Sequence, residues 1–502
     1  MPLPLAVVIA AIVFPAGSEP ARIPRPAPIF QPALHDEEWL QFAKSDTPEA
    51  APTRDSVGAL QKLWRAQIPE GADGSPAYLR RVPTGYGVRE LLIVTTTRGR
   101  TVALDARRGD ILWQIPPPPG PQWTTSSPAV DPDRRFVYTY ALDGYVHKYA
   151  VTDGTEVQGG GWPQLITRKP NVEKGSSALT IAVTRDGSRY LYATTAGYPE
   201  PDPGDQGDYQ GHLVAIDLAT GQQSVFNSMC SDKAMHFVEN GDESNDCSGV
   251  QSGIWARAGA VYDEVTDRLF VTTGNGAFDA YANGYNWGSS VIAIRPDGST
   301  DGGTPLDSYT PTNFQLLADI DADLGSTTVA ILASTDVESG PRLAIQSGKD
   351  GRIRFLDLRN LSGAGGPRHL GGELAIIDVP QGGPIFTRPA SWIDAAGRTW
   401  VFLANGAGVS GSLLVVDENG PHLDMRWLSP GYAETPVIVN GLLYFAGDHR
   451  VTALDPETGK TLWEDRSIGP IHWQSPIIAN ERLYITDGDG GVTAFWIPSG
   501  VQ

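Results

Sequence analysis

Three polar segments in the middle of the chain carry the side chains best suited to chemistry. Thr273-Gly274-Asn275 contains a carboxamide, Asp319–Gly325 contains three carboxylates, and Gly348-Lys349-Asp350-Gly351 contains an ammonium group. Such groups line small-molecule binding sites and catalytic centres. Each segment also has a simpler interpretation, because Gly-Asn pairs are common in turns and a lysine in a hairpin is commonly solvated. The fold must therefore decide whether the three segments meet.

Short strands flank the first of these segments. Between Ser252 and Arg295, runs rich in β-branched and aromatic residues occupy Ala258–Tyr262, Arg268–Thr273 and Ser289–Ile294. Runs of this kind between turn residues predict antiparallel strands. The second and third runs are separated by the loop Gly274–Gly288, and a loop of that length in a compact domain is usually functional or disordered.

The same plan recurs along the chain from Val57 onward. Its fullest copy, residues 435–465, reads as strand, turn, strand, Gly/Asp loop, strand, Thr-Gly turn and a fourth strand containing Trp463. Other copies begin near Ser75, Ser127, Ser177, Gln251, Thr327, Thr387 and Ser475. Four-strand units repeated every 40 to 75 residues, roughly, predict a β-propeller. Two separate sandwiches are less favoured, because no linker interrupts the repeat.

The two ends of the repeat complete each other. The last copy, Ser475 to Pro498, has three strands, and Gly58–Ile68 looks like the outer strand of a blade placed at the N-terminal end. Pairing these two segments closes the ring. The sequence thus predicts an all-β fold over residues 57–502, an eight-bladed β-propeller of four-stranded antiparallel blades whose last blade is closed by an N-terminal strand.

This fold would gather the three polar segments. In an antiparallel blade, the loop between strands two and three lies on the same face as the connections between blades. Asn275 and Lys349 follow the second strands of blades four and five, and Asp323 lies in the connection between those blades. We therefore expect one site at one end of the channel.

Tryptophans divide into two groups by their position in the repeat. Trp64, Trp113 and Trp463 lie in predicted outer strands and are expected to pack between blades. Trp123 and Trp473 precede first strands. Packing is also the first expectation for these two, and a position in the wall of the funnel is the alternative.

Composition limits the partners and the location. The chain has 58 acidic and 38 basic residues, a formal net charge of −20, and no basic cluster, so nucleic acid is not an expected partner. The apolar run Pro4–Ala16 is too short to span a membrane and looks like the core of a signal peptide at residues 1–18. Residues 19–56 are expected to form a loosely held Pro/Ala-rich arm. We therefore expect a periplasmic or secreted protein without a membrane span.

The only cysteines are Cys230 and Cys247, inside one acidic insertion. In an exported chain they are expected to form a disulfide, which would contribute about 3 kcal/mol in the chain-entropy model. A zinc site would need more ligands than this segment offers, since His236 is the only imidazole nearby.

At these residues the sequence resembles the pyrroloquinoline-quinone-type propellers, the quinoprotein alcohol dehydrogenases and their relatives. The repeat with Ala-Leu-Asp, Thr-Gly and Trp spans nearly the whole chain after residue 57. Thr273-Gly274-Asn275 is similar to the family segment whose Asn binds calcium beside the quinone. Asp323-Leu324-Gly325 resembles the segment with the catalytic Asp, and Lys349-Asp350-Gly351 resembles the one whose Lys or Arg contacts the quinone oxygens. Trp255 matches, within two residues, the Trp that stacks under the cofactor.

The resemblance implies an oxidoreductase that oxidises an alcohol or sugar with pyrroloquinoline quinone and Ca²⁺. Electrons would pass to a separate acceptor such as a cytochrome, because the chain contains no Cys-x-x-Cys-His haem motif. Asp323 would be the catalytic base and, with Asn275, a calcium ligand. The residues implied to contact the cofactor are Lys349, Trp255, Asp350 and Arg257.

Two questions stay open at this point. The acidic loop with Glu200, Asp202, Asp205 and Asp208 stands where the family has a calcium-binding glutamate, and it could bind calcium independently or be solvated. The scaffold propellers of outer-membrane protein assembly share the same repeat. A non-catalytic propeller that binds other proteins through its face and loops is therefore the alternative function.

Overall fold

The structure is a computed structural model that describes residues 38–42, 51–119, 122–198, 208–239, 247–338 and 340–498. The predicted signal peptide, most of the arm at 19–56, and Glu200, Asp202 and Asp205 of the acidic loop lie outside these residues. The described residues form eight antiparallel sheets, seven of strands consecutive in the chain and one closed by an N-terminal strand, which confirms the predicted eight-bladed β-propeller.

The strands of blades one to four follow the chain. Blade one consists of Ala77–Thr84, Gly87–Thr95, Thr101–Asp105 and Ile111–Ile115, and blade two of Ala129–Val130, Phe136–Tyr140, Tyr145–Ala150 and Gln164–Leu165. Blade three consists of Thr180–Val183, Arg189–Gly197, His212–Asp217 and Gln223–Asn227, with Glu173–Gly175 also paired to its second strand. Blade four consists of Val261–Asp263, Arg268–Thr272, Val291–Ile294 and Asp307–Tyr309. Its first and third strands begin two to three residues later than the sequence suggests.

Blades five to eight repeat the pattern. Blade five consists of Ala330–Ile331, Leu343–Ser347, Arg352–Asp357 and Ala375–Asp378, and blade six of Ala390–Ile393, Thr399–Asn405, Gly408–Asp417 and Gly420–Pro430. Blade seven consists of Val437–Val439, Leu442–Gly447, Arg450–Leu454 and Thr461–Asp465, and blade eight of Ile477–Ala479, Arg482–Thr486 and Gly491–Trp496. Helical turns are short in the described residues: Val57–Ala59, Ala280–Ala282, Phe314–Asp319 and Leu324–Ser326.

An N-terminal strand closes the ring, as predicted. Gln61–Gln67 pairs antiparallel with Gly491–Trp496 and forms the fourth strand of blade eight. The strand begins later than the predicted Gly58, because Val57–Ala59 forms a 3₁₀ turn. Joining two segments that are far apart in sequence leaves no blade with three strands.

Outer-strand tryptophans connect neighbouring blades. Each donates its indole N–H to a backbone carbonyl of the next blade: Trp64 to Ala106 (3.2 Å), Trp113 to Val151 (3.2 Å), Trp427 to Pro456 (2.9 Å) and Trp463 to Leu60 (2.9 Å). A Cβ at Gly109 would lie 2.7 Å from the Trp64 ring. The packing role predicted for Trp64, Trp113 and Trp463 agrees with these contacts.

The starts of the first strands are joined by hydroxyl hydrogen bonds. Ser75 donates to the Ser475 carbonyl (2.8 Å), Ser475 donates to the Thr435 carbonyl (2.8 Å), and the Ser75 amide donates to the Ser127 hydroxyl (2.9 Å). These residues begin four of the predicted copies. Side chains just before them in the sequence therefore surround one end of the central channel.

Part of the N-terminal arm is bound to the propeller. Trp39 exchanges two backbone hydrogen bonds with Tyr78 (3.1 and 2.7 Å), and the Leu40 carbonyl accepts one from Val130 (3.0 Å). The Gln41 side chain accepts another from Ile181 (2.7 Å). The segment 38–42 thus crosses the first strands of blades one, two and three, whereas the sequence predicts a loosely held arm.

Cys230 and Cys247 form the predicted disulfide. Among the described residues, no helix has the length and apolar composition that crossing a membrane would need.

Candidate functional site

The structure brings Asn275, Asp323 and Lys349 together at one end of the channel. Asn275 follows the second strand of blade four, Lys349 follows that of blade five, and Asp323 precedes the turn Leu324–Ser326 between those blades. Asp323 Oδ1 accepts a hydrogen bond from the Asn275 backbone N–H (2.7 Å). Asp323 Oδ2 lies 3.0 Å from Lys349 Nζ. The three predicted residues therefore form one contiguous cluster.

A second carboxylate joins the cluster from its exposed side. Asp321 Oδ2 lies 3.0 Å from Lys349 Nζ, and Asp321 Oδ1 accepts a hydrogen bond from Asn275 Nδ2 (3.0 Å). Asp323 is the more buried of the two, with 13% of its side chain exposed against 77% for Asp321. Lys349 thus neutralises part of the charge of two neighbouring carboxylates.

Two glycines allow this close approach. A Cβ on Gly274 would lie 2.6 Å from Asp323 Oδ1, and a Cβ on Gly325 would lie 2.6 Å from the Gly274 amide nitrogen. Neither distance can accommodate a methyl group. Gly in both segments is therefore required for the Asp323 carboxylate to reach the backbone of the 273–275 loop.

Burial and charge shift the pKa values of the pair. Burial raises the pKa of the Asp323 carboxyl above its usual value, although the ammonium of Lys349 opposes this. Burial alone would lower the pKa of Lys349, but the Asp323 and Asp321 carboxylates outweigh it and raise this pKa. The Asp323 carboxylate is therefore a stronger base than the carboxylate of an exposed aspartate.

Asn275 leaves an acceptor open in this cluster. Its Oδ1 is buried and has no hydrogen-bond partner among the described residues. Buried acceptors are rarely unpaired, and a carboxamide oxygen beside a carboxylate is the hard-oxygen donor type that Ca²⁺ takes. Asn275 and Asp323 therefore fit one side of a calcium site. The described residues contain no group of three or more His, Cys, Asp or Glu that could hold a metal without further ligands.

Aromatic rings connect this cluster with the far side of the channel. Trp255 lies 5.6 Å from Lys349 Nζ and 6.2 Å from the Phe386 ring, and Phe386 lies 6.0 Å from the Trp473 ring. The guanidinium of Arg257 stacks on Trp473 at 4.2 Å. Trp473 thus lies in the wall of the funnel, which was the alternative to simple packing.

Arg257 reaches from blade four to blades two and three. Its Nη1 donates to the Ser176 carbonyl (3.1 Å) and to the Thr125 hydroxyl. Its Nε is buried without a hydrogen-bond partner among the described residues. Burial lowers the pKa of this guanidinium to about 10, so it remains a cation at neutral pH. A free N–H on a buried cation fits an anionic group of a ligand.

A buried lysine lies nearby in the same wall. Lys174, 3% exposed, places Nζ 2.9 Å from the ring centroid of Trp123 and 5.1 Å from that of Tyr198. The structure shows no ion pair of Nζ within the described residues. Burial, reinforced by the charge of Arg257, lowers the pKa of this amine to about 6. A negative group placed beside Lys174 would restore its charge.

Asp350 is directed away from the cluster. Its carboxylate binds the buried guanidinium of Arg354, with Oδ2 2.5 Å from Nη2. The backbone of the Lys349–Gly351 hairpin is at the site, but the Asp350 side chain supports the hairpin. The expectation that it contacts a cofactor stays a prediction.

Sequence reasoning missed four polar residues of the funnel: Lys174, Tyr432, Glu434 and His472. Each lies within three residues before the start of a predicted copy, at Ser177, Thr435 or Ser475. A comparison of the residues preceding Ser177, Thr435 and Ser475 would have found them, since that position in every copy faces the same end of the channel. The Gly-rich motifs that predicted the site do not include that position.

A family model described as "Outer membrane protein assembly factor BamB" matches residues 56–239 and 395–502. The match does not include residues 240–394, where Asn275, Asp323 and Lys349 lie. No curated protein matches the sequence.

Solved structures with the same fold include two quinohemoprotein alcohol dehydrogenases. ADHIIG of Pseudomonas putida HK5 has a TM-score of 0.62 at 15% identity, with 92% of this chain and 80% of that chain covered. The enzyme of Comamonas testosteroni has a TM-score of 0.62 at 15% identity, with 92% and 81% covered. A europium-containing methanol dehydrogenase has a TM-score of 0.60 at 14% identity, with 90% and 89% covered. At these identities the likeness shows the fold.

The repeat, the closed ring of eight blades and the family match agree with one another. Because the matched residues make up more than half of the chain, the protein belongs to the family of pyrroloquinoline-quinone-type β-propellers.

Proposed function

We propose that this protein is an exported quinoprotein-type dehydrogenase that oxidises an alcohol or sugar with pyrroloquinoline quinone and Ca²⁺. A separate acceptor such as a cytochrome would take the electrons. The observation that carries the proposal is the buried Oδ1 of Asn275, which is open beside the Asp323 carboxylate. An unpaired buried acceptor costs about 1–3 kcal/mol, so it is expected where a ligand pairs it.

Residues on two sides of the funnel would hold the cofactor. Asn275 and Asp323 would supply oxygen ligands to Ca²⁺. The quinone carries carboxylate groups. These suit the buried cation Arg257, whose Nε–H is open, and the buried amine of Lys174, which would regain its charge beside an anion. When bound, the quinone supplies a two-electron acceptor for the alcohol carbon.

The protein's own residues would position the substrate and move a proton. Asp323 would take the hydroxyl proton of the alcohol, and its burial makes the carboxylate a stronger base than an exposed one. Lys349 would hold the Asp323 carboxylate in place through Oδ2 and would stabilise negative charge that develops nearby. Trp255, on the other side of Lys349, would limit access of water.

Export is supported by chemistry within the described chain. The disulfide between Cys230 and Cys247 persists in oxidising compartments and is rare in reducing ones. A periplasmic or secreted location is proposed on this ground, together with the apolar N-terminal run.

The second candidate function is a scaffold for protein interaction. The description of the matching family model favours it, and the model leaves out the part of the chain with the acidic cluster. A scaffold would need neither the open Asn275 oxygen nor the buried Lys174 and Arg257 side chains. Binding and activity measurements separate the two functions.

The first experiment measures cofactor binding and turnover. Purified protein is mixed with pyrroloquinoline quinone and CaCl₂, bound quinone is followed by absorbance, and bound calcium by metal analysis. Reduction of a dye is then measured across a panel of alcohols and sugars. We expect stoichiometric binding of both and substrate-dependent reduction. If the protein binds neither quinone nor calcium and reduces no dye with any substrate, the scaffold function is the one that remains.

The second experiment changes the proposed base. Asp323→Asn is expected to reduce turnover by at least about 100-fold, because general-base catalysis contributes that much, while quinone binding is retained. Asp319→Asn is the matched control, since Asp319 lies four residues earlier and is exposed. Retained turnover in Asp323→Asn would show that Asp323 is not the base.

A further inference from the structure

A cavity lies beside Phe386 and Trp473, and Trp255 separates it from Lys349 of the Asn275–Asp323–Lys349 cluster. It measures about 220 Å³ and lies between blades six, seven and eight. Its walls include Phe386, Asn405, Tyr432, Glu434, His472 and Trp473. This volume is below the roughly 300 Å³ at which pockets for drug-sized ligands begin, so the cavity suits a ligand of about one ring.

The cavity contains a buried carboxyl group that is only partly paired. Glu434 is 2% exposed, and its Oε1 accepts a hydrogen bond from the hydroxyl of Tyr432. Its Oε2 is buried without a hydrogen-bond partner among the described residues. An open carboxyl oxygen in the wall of a cavity marks a point where a ligand can donate a hydrogen bond.

The surroundings favour a neutral Glu434. The single hydroxyl hydrogen of Tyr432 faces two acceptors, Glu434 Oε1 and the His472 carbonyl at 2.9 Å. Both contacts are satisfied when Glu434 carries a proton on Oε1. Glu434 then donates to the Tyr432 oxygen, and the Tyr432 hydroxyl donates to the His472 carbonyl. Burial raises the pKa of Glu434 to about 8, despite the opposing effects of Tyr432 and Arg257. With this proton directed at Tyr432, Oε2 remains an open acceptor for a ligand hydroxyl.

Other polar and charged groups near the cavity have partners within the protein, in part or in full. His472 Nδ1 lies 3.0 Å from Asp73 Oδ2, and Gln474 Nε2 lies 3.4 Å from Asp73 Oδ1. Arg257 is bound to blades two and three through Nη1. Its Nε–H is open, but neither Arg257 nor any other Arg or Lys is among the described residues that line the cavity, so an anionic ligand would have no such cation in contact with it. A neutral ligand is favoured.

Flat rings form another wall. The Phe386 and Trp473 rings lie 6.0 Å apart, and the His472 and Trp473 rings lie 4.6 Å apart. Such surfaces bind the apolar C–H faces of a saturated ring, while a carboxyl and a phenol bind its hydroxyl groups. Cyclic molecules with several hydroxyl groups have both features.

We propose that this cavity binds one ring of a neutral polyhydroxylated molecule, a monosaccharide or cyclic polyol. Glu434 Oε2 would bond a ring hydroxyl, and Trp473 and Phe386 would contact the ring face. The inference does not depend on quinone chemistry, because binding requires neither cofactor nor calcium. If the redox function also holds, the cavity places a sugar, rather than a simple alcohol, next to the Trp255 side of the site.

The test measures binding of defined probes to the full chain without quinone or calcium. D-glucose and myo-inositol are titrated while tryptophan fluorescence and heat are recorded, with D-glucuronate and D-glucosamine as charged comparisons. We expect saturable binding of at least one neutral probe, and binding at least about tenfold weaker for its charged analogue, which corresponds to ~1.4 kcal/mol.

Variants locate the binding. Glu434→Leu is expected to weaken binding at least about tenfold, about 1.4 kcal/mol, while Glu434→Gln, which keeps a donor and an acceptor, stays within a few-fold of the wild type. Glu418→Leu is the control, since Glu418 is exposed on a hairpin of blade six. If Glu434→Leu fails to fold, Glu434→Asp makes the same test. Its side chain is one methylene shorter, so the carboxyl group no longer reaches the ligand and binding should weaken.

Three results would overturn the inference. One is a folded wild-type protein that binds neither neutral probe. Another is binding that Glu434→Leu or Glu434→Asp leaves unchanged. The third is equal affinity for the neutral and charged probes. Absence of quinone-dependent turnover, in contrast, would count against the redox function and not against this binding site.

Discussion

At the residue scale, the funnel contains ionisable side chains whose burial is only partly compensated. Asp323 is paired with Lys349, whereas Lys174 and Glu434 have no ion pair shown in the described structure. Burial disfavours the charged form of each unpaired group. Such groups lower the stability of the folded protein unless a ligand or a proton compensates, and they are concentrated at functional sites for that reason.

Glu434 should make stability depend on pH. Its pKa is raised from 4.5 to about 8, and the charged and titratable groups facing it are Tyr432, Arg257 and Asp73. An acid with a raised pKa in the folded state favours folding while it is protonated. Stability should therefore fall as pH rises from about 4.5 to about 8, by at most about 1.4 kcal/mol per pH unit.

The variant Glu434→Gln removes this titration. Its free energy of unfolding, relative to the wild type, should increase between about pH 5 and about pH 8.5, as measured by urea unfolding at both values. Glu418→Gln, on an exposed hairpin, should show no such pH-dependent difference. A Glu434→Gln difference that is constant with pH would mean that Glu434 titrates near its ordinary value.

At the element scale, the cluster depends on two loops that touch through glycine. The 273–275 loop of blade four and the 323–325 turn approach so closely that Gly325 would place a Cβ 2.6 Å from the Gly274 nitrogen. Hairpin loops of this kind are positioned by strands that the sequence identifies well. Their final contact is set by side-chain volume rather than by strand register.

Gly274→Ala tests this contact. The added methyl would lie 2.6 Å from Asp323 Oδ1 and must displace the carboxylate or the loop, so we expect a loss of about 1–3 kcal/mol in unfolding free energy. The pKa of Asp323 should change as well, because its carboxylate would move relative to the Asn275 N–H. Gly85→Ala is the control, because its Cβ would meet nothing within 4 Å. Equal stability of the two variants in urea would show that the loops can separate without cost.

Much of the element order could be predicted, because each copy repeats turn residues and an outer-strand Trp. The antiparallel order of the strands then placed Asn275, Asp323 and Lys349 on one face. The binding of segment 38–42 could not be predicted, since its partners Tyr78, Val130 and Ile181 belong to three blades. Glu434 was missed for a similar reason: its environment comes from residues far away in the sequence, such as Asp73 and Arg257.

At the scale of the whole molecule, the ring is held by contacts between distant parts of the chain. Lys62 pairs with Phe495 in the closing strand, and Ser75 bonds Ser475 across the same junction. The largest apolar cluster contains residues of blades one, seven and eight together with Leu60 and Ile68 beside the closing strand. The first and last blades therefore share one apolar core, and we expect them to unfold together.

Removal of the closing strand should show this dependence. Two truncated chains are compared, one beginning at Ser56 and one beginning at Pro69, so that both lack segment 38–42 and only the second lacks Gln61–Gln67. The second leaves the outer edge of strand Gly491–Trp496 unpaired and exposes the apolar surface that Trp64 covers. Truncation of a fully buried Trp costs about 3–5 kcal/mol, and the loss of Trp64, which is partly buried, should cost less. We expect the chain beginning at Pro69 to unfold at a lower temperature and to associate through its open edge.

A synthetic peptide of residues 57–68 provides the decisive comparison. An open sheet edge can accept an added strand, so the peptide should raise the unfolding temperature of the chain beginning at Pro69 and restore a monomer. The same peptide with Trp64→Ala should do so less well, because it lacks the ring that contacts Ala106 and Gly109 of blade one. If both truncated chains unfold at the same temperature, or both peptides act equally, the ring does not depend on this strand for closure.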